Sequence, residues 1–227
     1  MVQQAAIPFA TKGDLAYARV RELILSGDLP PGTVLPQASL AATIGMSTTP
    51  LREGLRRLAQ EGLVDLDAHR DARVRTLDAT EARDLLELRR TLDPMAAALA
   101  AERRTDADLA VAASALDGLE ALPDDPTPAQ LDSHYRFHAA IHSASHNSLL
   151  VGILEGLWVK TDRYRRHALA AGRTDEEREA RATEHRQLFE AVRDGDAETA
   201  AQLMHRHVET SLGARAADRL AGPEQPR

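Results

Sequence analysis

The run Gly45-Met46-Ser47-Thr48-Thr49-Pro50 constrains this chain more than any other feature. Gly45 tolerates a positive φ and so ends a helix. Ser47 is an N-cap residue type, and Pro50 falls in the first turn, where its missing N–H costs nothing. Two helices must therefore meet at a short turn. The upstream one reads from about Gln37 to Ile44. The downstream one runs from Ser47 to about Glu61, with Leu51, Leu55 and Leu58 marking its buried face. An earlier helix, with Asp14 as its cap, reaches about Ser26 and carries Leu15, Val20, Leu23 and Ile24 on one face. Gly27 and then Pro30-Pro31-Gly32 force a turn. After Gly62, Leu63-Val64-Asp65-Leu66 and Ala72-Arg73-Val74-Arg75 read as paired short strands, with Asp67 to Asp71 at the hairpin tip. Helix, short helix, helix and β-ribbon in that order predict a winged helix-turn-helix over residues 10–76.

Thr76 to Ala79 reads as a linker, and every later segment reads helical. Thr80 with Glu81 begins a helix to about Arg104, with Leu85, Leu88, Leu92, Met95 and Leu99 at helical spacing and Pro94 as a candidate kink. Further helices are expected over 106–122, 129–145, 149–171, 174–194 and 196–219. Aromatics are only 3% of the residues, so the core must come from Leu, Ala, Val and Ile. The expected architecture is mainly α: an N-terminal winged helix-turn-helix, then a C-terminal all-helical bundle over residues 80–220.

The absence of cysteine excludes disulfides, thiolate metal sites and cysteine nucleophiles. No stretch reaches the roughly 18 apolar residues that span a membrane, and Met1 to Ala10 has no basic start. The reading is a cytoplasmic protein without a membrane partner. A net charge of −7 looks wrong for a nucleic-acid binder, but it is unevenly spread. Residues 1–76 carry 9 Lys/Arg and 8 Asp/Glu, whereas residues 77–227 carry 19 and 27. Arg52, Arg56 and Arg57 stand against one acid, Glu53, between Gly45 and Leu58. Such a local footprint matters more than overall charge.

The segment Leu29-Pro-Pro-Gly-Thr-Val-Leu35, then Leu40-Ala41, then Ile44 to Leu55, then Leu58 and Glu61-Gly-Leu-Val64, resembles the GntR family of bacterial regulators. The likeness covers about residues 12–76. It implies that the helix opening at Ser47 enters the major groove of double-stranded operator DNA. Ser47, Thr48 and Thr49 suit that place. Their N–H groups and hydroxyls can bond phosphate, and threonine methyls can touch thymine. Arg52, one turn later, can reach phosphate or a guanine edge. Three positions depart from the family pattern. Thr48 and Gln37 stand where many members have Arg and Glu, and Asp71 stands where the wing tip usually has Gly. The charge of Asp71 is partly offset by His69 and Arg70, further candidate DNA contacts.

Leu85-Leu-Glu-Leu-Arg-Arg-Thr-Leu-Asp-Pro94 resembles the opening helix of the FadR-type ligand-binding domain, called FCD. Phe137-His138 before Asn147, Glu184-His185 before Gly195-Asp196, and Ala200, Met204 and His207 continue the likeness over about residues 80–212. The resemblance implies a helical bundle that holds a divalent metal with three histidines and one aspartate, beside which small organic acids bind. On the motif, His138, His185 and His207 occupy ligand positions, and His134 replaces the aspartate. The residues fit independently. His134 and His138 share one helix face with Cβ atoms about 5–6 Å apart, and a bundle core can bring two later helices to them. Four imidazoles suit a divalent transition metal such as zinc, nickel or copper, zinc or nickel first, better than magnesium or calcium. The plain alternative is a set of ordinary core or surface histidines. His142, His146 and His205 are decoys in the same pattern.

Arg89 occupies the arginine position of the FCD motif. It is a candidate grip on an anionic effector, or an ion-pair partner of Glu87 or Glu184. Arg163, Tyr164 and Arg166 are alternative effector contacts, and Trp158 reads as core. Together these features predict a homodimeric transcriptional regulator, a repressor rather than an enzyme, that binds operator DNA and answers to a small carboxylate. Its rivals are a metal-dependent hydrolase, with Glu184 as the available acid, and a DNA-binding protein whose helical domain only dimerises.

Overall fold

The computed structural model describes residues 11–67, 71–119, 122–123, 126–169 and 174–221. The chain divides into two compact units, one through Leu77 and one from Asp78.

In the first unit, α1 (Lys12–Ser26), α2 (Gln37–Thr43) and α3 (Thr48–Gln60) accompany three short strands, β1 (Val34–Pro36), β2 (Val64–Leu66) and β3 (Asp71–Val74). Thr11, not Asp14, caps α1. The Thr11 hydroxyl accepts from the Asp14 N–H at 3.1 Å, and the Asp14 carboxylate accepts from the Thr11 N–H at 2.9 Å. Asp14 thus closes a capping box from the third helical position. Gly27 ends α1 in the left-handed conformation at φ 88°. Local patterning gives no sign of β1. It exists because β3 offers a second edge: Leu35 pairs with Ala72 and Pro36 with Asp71, while Val64 pairs with Val74 across the other edge. Proline is tolerated there because β1 is an edge strand. Ala16, Val20, Leu51, Leu55, Leu58 and Leu63 form a core wholly out of contact with solvent. Gly54 lets α1 and α3 touch, since a Cβ on it would lie 2.7 Å from the Tyr17 backbone nitrogen.

The second unit contains α4 (Ala79–Arg103), α5 (Asp106–Asp117), α6 (Pro128–Ser143), α7 (Ser148–Leu169), α8 (Asp175–Asp194), α9 (Ala197–Glu209) and α10 (Leu212–Ala221). Asp78 caps α4, and the capping boxes Thr105/Asp108, Thr127/Gln130 and Thr174/Glu177 start α5, α6 and α8. α4 runs through Pro94 without a break. Its buried Ala96, Ala97, Ala100 and Ala101 let neighbouring helices approach, and α6 to α10 all pack on it. The helix expected to reach 122 stops at Asp117, and the one expected from Asp196 to about Arg219 is two, broken at Thr210 and Ser211. Phe137, Ile141, Leu188, Met204 and Val208 fill the core between α6, α8 and α9.

Candidate functional site

Three helices bring their histidines to one place. His134 and His138 come from α6, His185 from α8 and His207 from α9. One ring nitrogen from each lies within 4.8 Å of the others. Ring centroids are 4.7 Å apart for His134 and His138, 5.0 Å for His138 and His207, and 4.7 Å for His185 and His207. His134 is half-buried and the other three are buried. Phe137 sets its ring edge-on against His138 and His185, and Trp158 of α7 lies 5.1 Å from His138. Trp158 is therefore both core and a wall of the cluster.

The electrostatics suit a cation. Both ring nitrogens of His138 are buried without a hydrogen-bond partner. Burial costs such nitrogens their water bonds and normally requires a replacement. Burial, reinforced by the neighbouring imidazoles, holds the His138 pKa well below the ordinary histidine value. The ring is therefore neutral and keeps a lone pair for a metal. The pKa of His207 is lowered as well, by burial first and against the pull of Glu184. Its Nδ1–H donates to Glu184 Oε2 at 3.0 Å, which leaves Nε2 as the ligand atom. Burial would raise the Glu184 pKa, but the His207 hydrogen bond and the Arg181 guanidinium outweigh it and hold the carboxyl below its usual range. The donor set, the orphaned nitrogens and the oriented imidazole all fit a bound metal. Such an ion would supply Lewis acidity toward an oxygen ligand.

The decoy histidines lie elsewhere. His142 is buried, with Nε2 3.4 Å from Asp93 Oδ1. His146 meets Asp108 at 2.9 Å, and exposed His205 faces Glu209. Arg89 is buried and donates from Nε to Asp93 Oδ2 at 2.8 Å, so its partner is neither Glu87 nor Glu184. Its guanidinium carbon stands 5.1 Å over the Trp158 ring. A cavity of about 10 Å³ beside Arg89, lined also by Thr161, Tyr164 and Ser211, has room for about one water and no more. Arg163 donates to Glu81 Oε2 at 2.9 Å, and the Tyr164 hydroxyl donates to the same oxygen at 2.5 Å. The Arg166 side chain lies outside the described residues.

In the first unit, Ser47 has the backbone of an N-cap, φ −82° and ψ 164°, but its side chain makes no cap hydrogen bond. This corrects the expected capping role and leaves the hydroxyl uncommitted. Thr49 and Arg52 are exposed and Thr48 is half-buried. Arg52 Nε donates to Gln37 Oε1 at 2.8 Å. The neutral glutamine steadies the arginine without cancelling its charge. Arg57 is exposed but lies 3.9 Å over the Tyr17 ring and near Asp14 and Glu61. His69 and Arg70 lie outside the described residues.

Residues 84–210 match the FCD domain family, and residues 13–74 match the bacterial regulatory proteins of the gntR family. The chain belongs to the GntR family. Its FCD domain fits the FadR-like branch. The Glc operon transcriptional activator of Escherichia coli (strain K12) is 33% identical over 158 residues, 61% of this chain and 62% of that protein. The probable D-xylose utilization operon transcriptional repressor of Paenarthrobacter nicotinovorans is 28% identical over 203 residues, 88% of each. Among solved structures, E. coli McbR/YncC matches with a TM-score of 0.74 at 25% identity, over 88% of this chain and 95% of that one. This GntR-family protein is a DNA-binding transcriptional regulator and not an enzyme. No described helix is long and apolar enough to cross a membrane.

Two elements of the regulator's site escaped the sequence. Glu184 neighbours His185 on α8, where adjacent residues diverge by about 100°. It does point away from His185, yet it reaches the outer nitrogen of His207. Asp93 lies four residues after Arg89, and that spacing was the available signal for their pair.

Proposed function

We propose that this regulator is a cytoplasmic homodimer that represses transcription and is governed by a small carboxylate bound beside a zinc or nickel ion. Residues 10–76 read the operator through Ser47, Thr48, Thr49 and Arg52, with His69 and Arg70 on the wing. Residues 80–220 dimerise and hold the effector. His134, His138, His185 and His207 are the metal ligands. Arg89 and Arg163 are the candidate cations for the effector carboxylate, which would compete with Asp93 for the first and with Glu81 for the second. The observation that carries the reading is the four-imidazole cluster, three of its rings buried. The His138 ring, buried with neither nitrogen hydrogen-bonded, is costly unless something occupies the cluster. An effector that binds one arrangement of the dimer better than another shifts the population that fits operator spacing.

The test is elemental mass spectrometry of untagged protein beside a His138→Ala/His185→Ala variant, followed by gel shifts on DNA from the protein's own promoter with and without carboxylates. About one transition metal per chain, lost in the variant, with carboxylate-dependent release of DNA, is the expected result. No metal even after incubation with zinc or nickel overturns the metal reading. DNA binding indifferent to every carboxylate would leave a helical domain that only dimerises. Transcription that falls when the gene is deleted overturns repression.

A further inference from the structure

The chain from Thr210 to His207 passes through one guanidinium and one carboxylate. Glu184 Oε2 accepts from His207 Nδ1 at 3.0 Å and from Arg181 Nη1 at 2.6 Å. The same Arg181 Nη1 donates to the His207 carbonyl at 3.3 Å, and Nη2 donates to the Thr210 carbonyl. Arg181 and Glu184 are three apart on α8 and so share a face. His207 and Thr210 lie at the end of α9. One ion pair on α8 therefore holds both the imidazole and the last carbonyls of the helix that carries it.

We infer that Glu184 is the positioning residue of the metal centre and that Arg181 holds it in place. This rests on the metal reading proposed above. An imidazole can swivel about its side-chain bonds and carry its proton on either nitrogen. A carboxylate that accepts from Nδ1–H fixes both, and presents Nε2 as a lone pair toward His138 and His185. It also raises the basicity of the imidazole toward a cation. Carboxylates in this relation to a ligating histidine are commonly worth 10–100-fold in metal affinity. His138 has no such partner on either nitrogen. The carboxylate orientation that the structure shows falls on His207, the ligand from α9. Arg181 has a second effect. Its bonds to the His207 and Thr210 carbonyls tie the orientation of the ring to the break between α9 and α10.

The experiment uses the full-length protein, zinc as the probe, and Glu184→Ala, Glu184→Gln and Arg181→Met variants. Zinc affinity is measured by competition with a chromophoric chelator, and the His207 tautomer in metal-free protein by imidazole nitrogen NMR. Wild-type protein should show His207 protonated on Nδ1. Glu184→Ala should weaken zinc by about 10–100-fold and shift the tautomer. Glu184→Gln keeps an acceptor and should recover most of the affinity, which a purely structural loss would not do. Arg181→Met should fall between them. Wild-type zinc binding is the control that separates the two claims: if it is absent, the metal reading itself fails. If wild type binds zinc and folded Glu184→Ala binds it within about threefold, or keeps the Nδ1–H tautomer, the positioning role is overturned.

Discussion

Replacing His142 should remove a large part of the acid sensitivity of the helical unit. His142 lies on α6, buried to 5% exposure, with Asp93 and Arg89 as its charged neighbours. Burial pushes its pKa down to about 4, against the pull of Asp93 and with a further push from Arg89. Unfolded, the same ring titrates near 6.5. Above about pH 6.5 both states are neutral and the group costs nothing. Between 6.5 and 4 the unfolded chain takes up a proton that the folded one refuses, so stability falls as pH falls. The full loss is reached below pH 4. Each pH unit in the window is worth about 1.4 kcal/mol, so the total is about 3 kcal/mol and the share lost by pH 5 is about 2 kcal/mol. Domains are stable by roughly 5–15 kcal/mol, so this is a substantial fraction. The variant His142→Gln is neutral at every pH and of similar size. Urea unfolding of metal-free protein, followed by fluorescence of Trp158, the only tryptophan, reports on the unit that contains both residues. Between pH 7.5 and 5.0 the wild type should lose about 2 kcal/mol more than the variant, about 1 M in urea midpoint. His138 and His207, whose pKa values burial also lowers, add to the acid loss in both proteins; His207 cancels in the difference, and His138 does so apart from the small part of its shift that His142 causes. Equal pH dependence, within about 0.5 kcal/mol, would refute the reasoning, because the buried ring would then titrate as it does unfolded.

Three further outcomes are expected. Arg52→Gln should weaken DNA binding: a contact to one base costs about 1–3 kcal/mol at that position, whereas a phosphate contact lowers affinity for all sequences and reduces the salt slope by about 0.9. Binding isotherms at several salt concentrations separate the two, and unchanged affinity removes Arg52 from the interface. Gly54→Ala gains about 1 kcal/mol of helix propensity but sets a Cβ against the Tyr17 backbone, so calorimetry should show a net loss of about 1–2 kcal/mol in the N-terminal unit, and a more stable protein would contradict the close approach. His134→Asp restores a carboxylate to the centre and should move relative affinity from zinc toward manganese by at least about tenfold in a metal competition, and an unmoved ratio would show that residue 134 is not a ligand.

The sequence carried those features whose cause is local. Gly45, Ser47 and Pro50 punctuate the chain where α2 and α3 meet, and the spacing of Leu51, Leu55 and Leu58 marks the face that is buried. The histidines were legible because four residues along α6 is one turn, so His134 and His138 had to point the same way. Features with distant causes were not legible. β1 is three residues whose only reason to be a strand is the open edge of β3. The caps of α1 and α3 depend on which rotamer wins: Thr11 makes its bond and Ser47 does not. The break at Thr210 and Ser211 has no proline. It is held by Arg181, which lies 29 residues earlier. Glu184 failed the test of pointing with His185 and passed one that sequence cannot pose, that of reaching the far side of a ring on another helix.

The replacement of aspartate by His134 bears on the effector as much as on the metal. A divalent ion among four neutral imidazoles keeps its full charge, whereas one carboxylate ligand would halve it. Glu184 and Asp93 do not compensate, because each is already committed. Glu184 is matched by Arg181, and Asp93 by Arg89. A doubly charged centre beside Phe137 and the Trp158 ring is costly in a medium of low dielectric. An anion bound to the ion relieves that cost more in a four-histidine site than in one that already contains a carboxylate. On the metal reading proposed above, the departure at residue 134 therefore strengthens the demand for an anionic partner. On the same reading, a dicarboxylate neutralises the ion with one carboxylate, while its second gains Arg89 only by displacing Asp93.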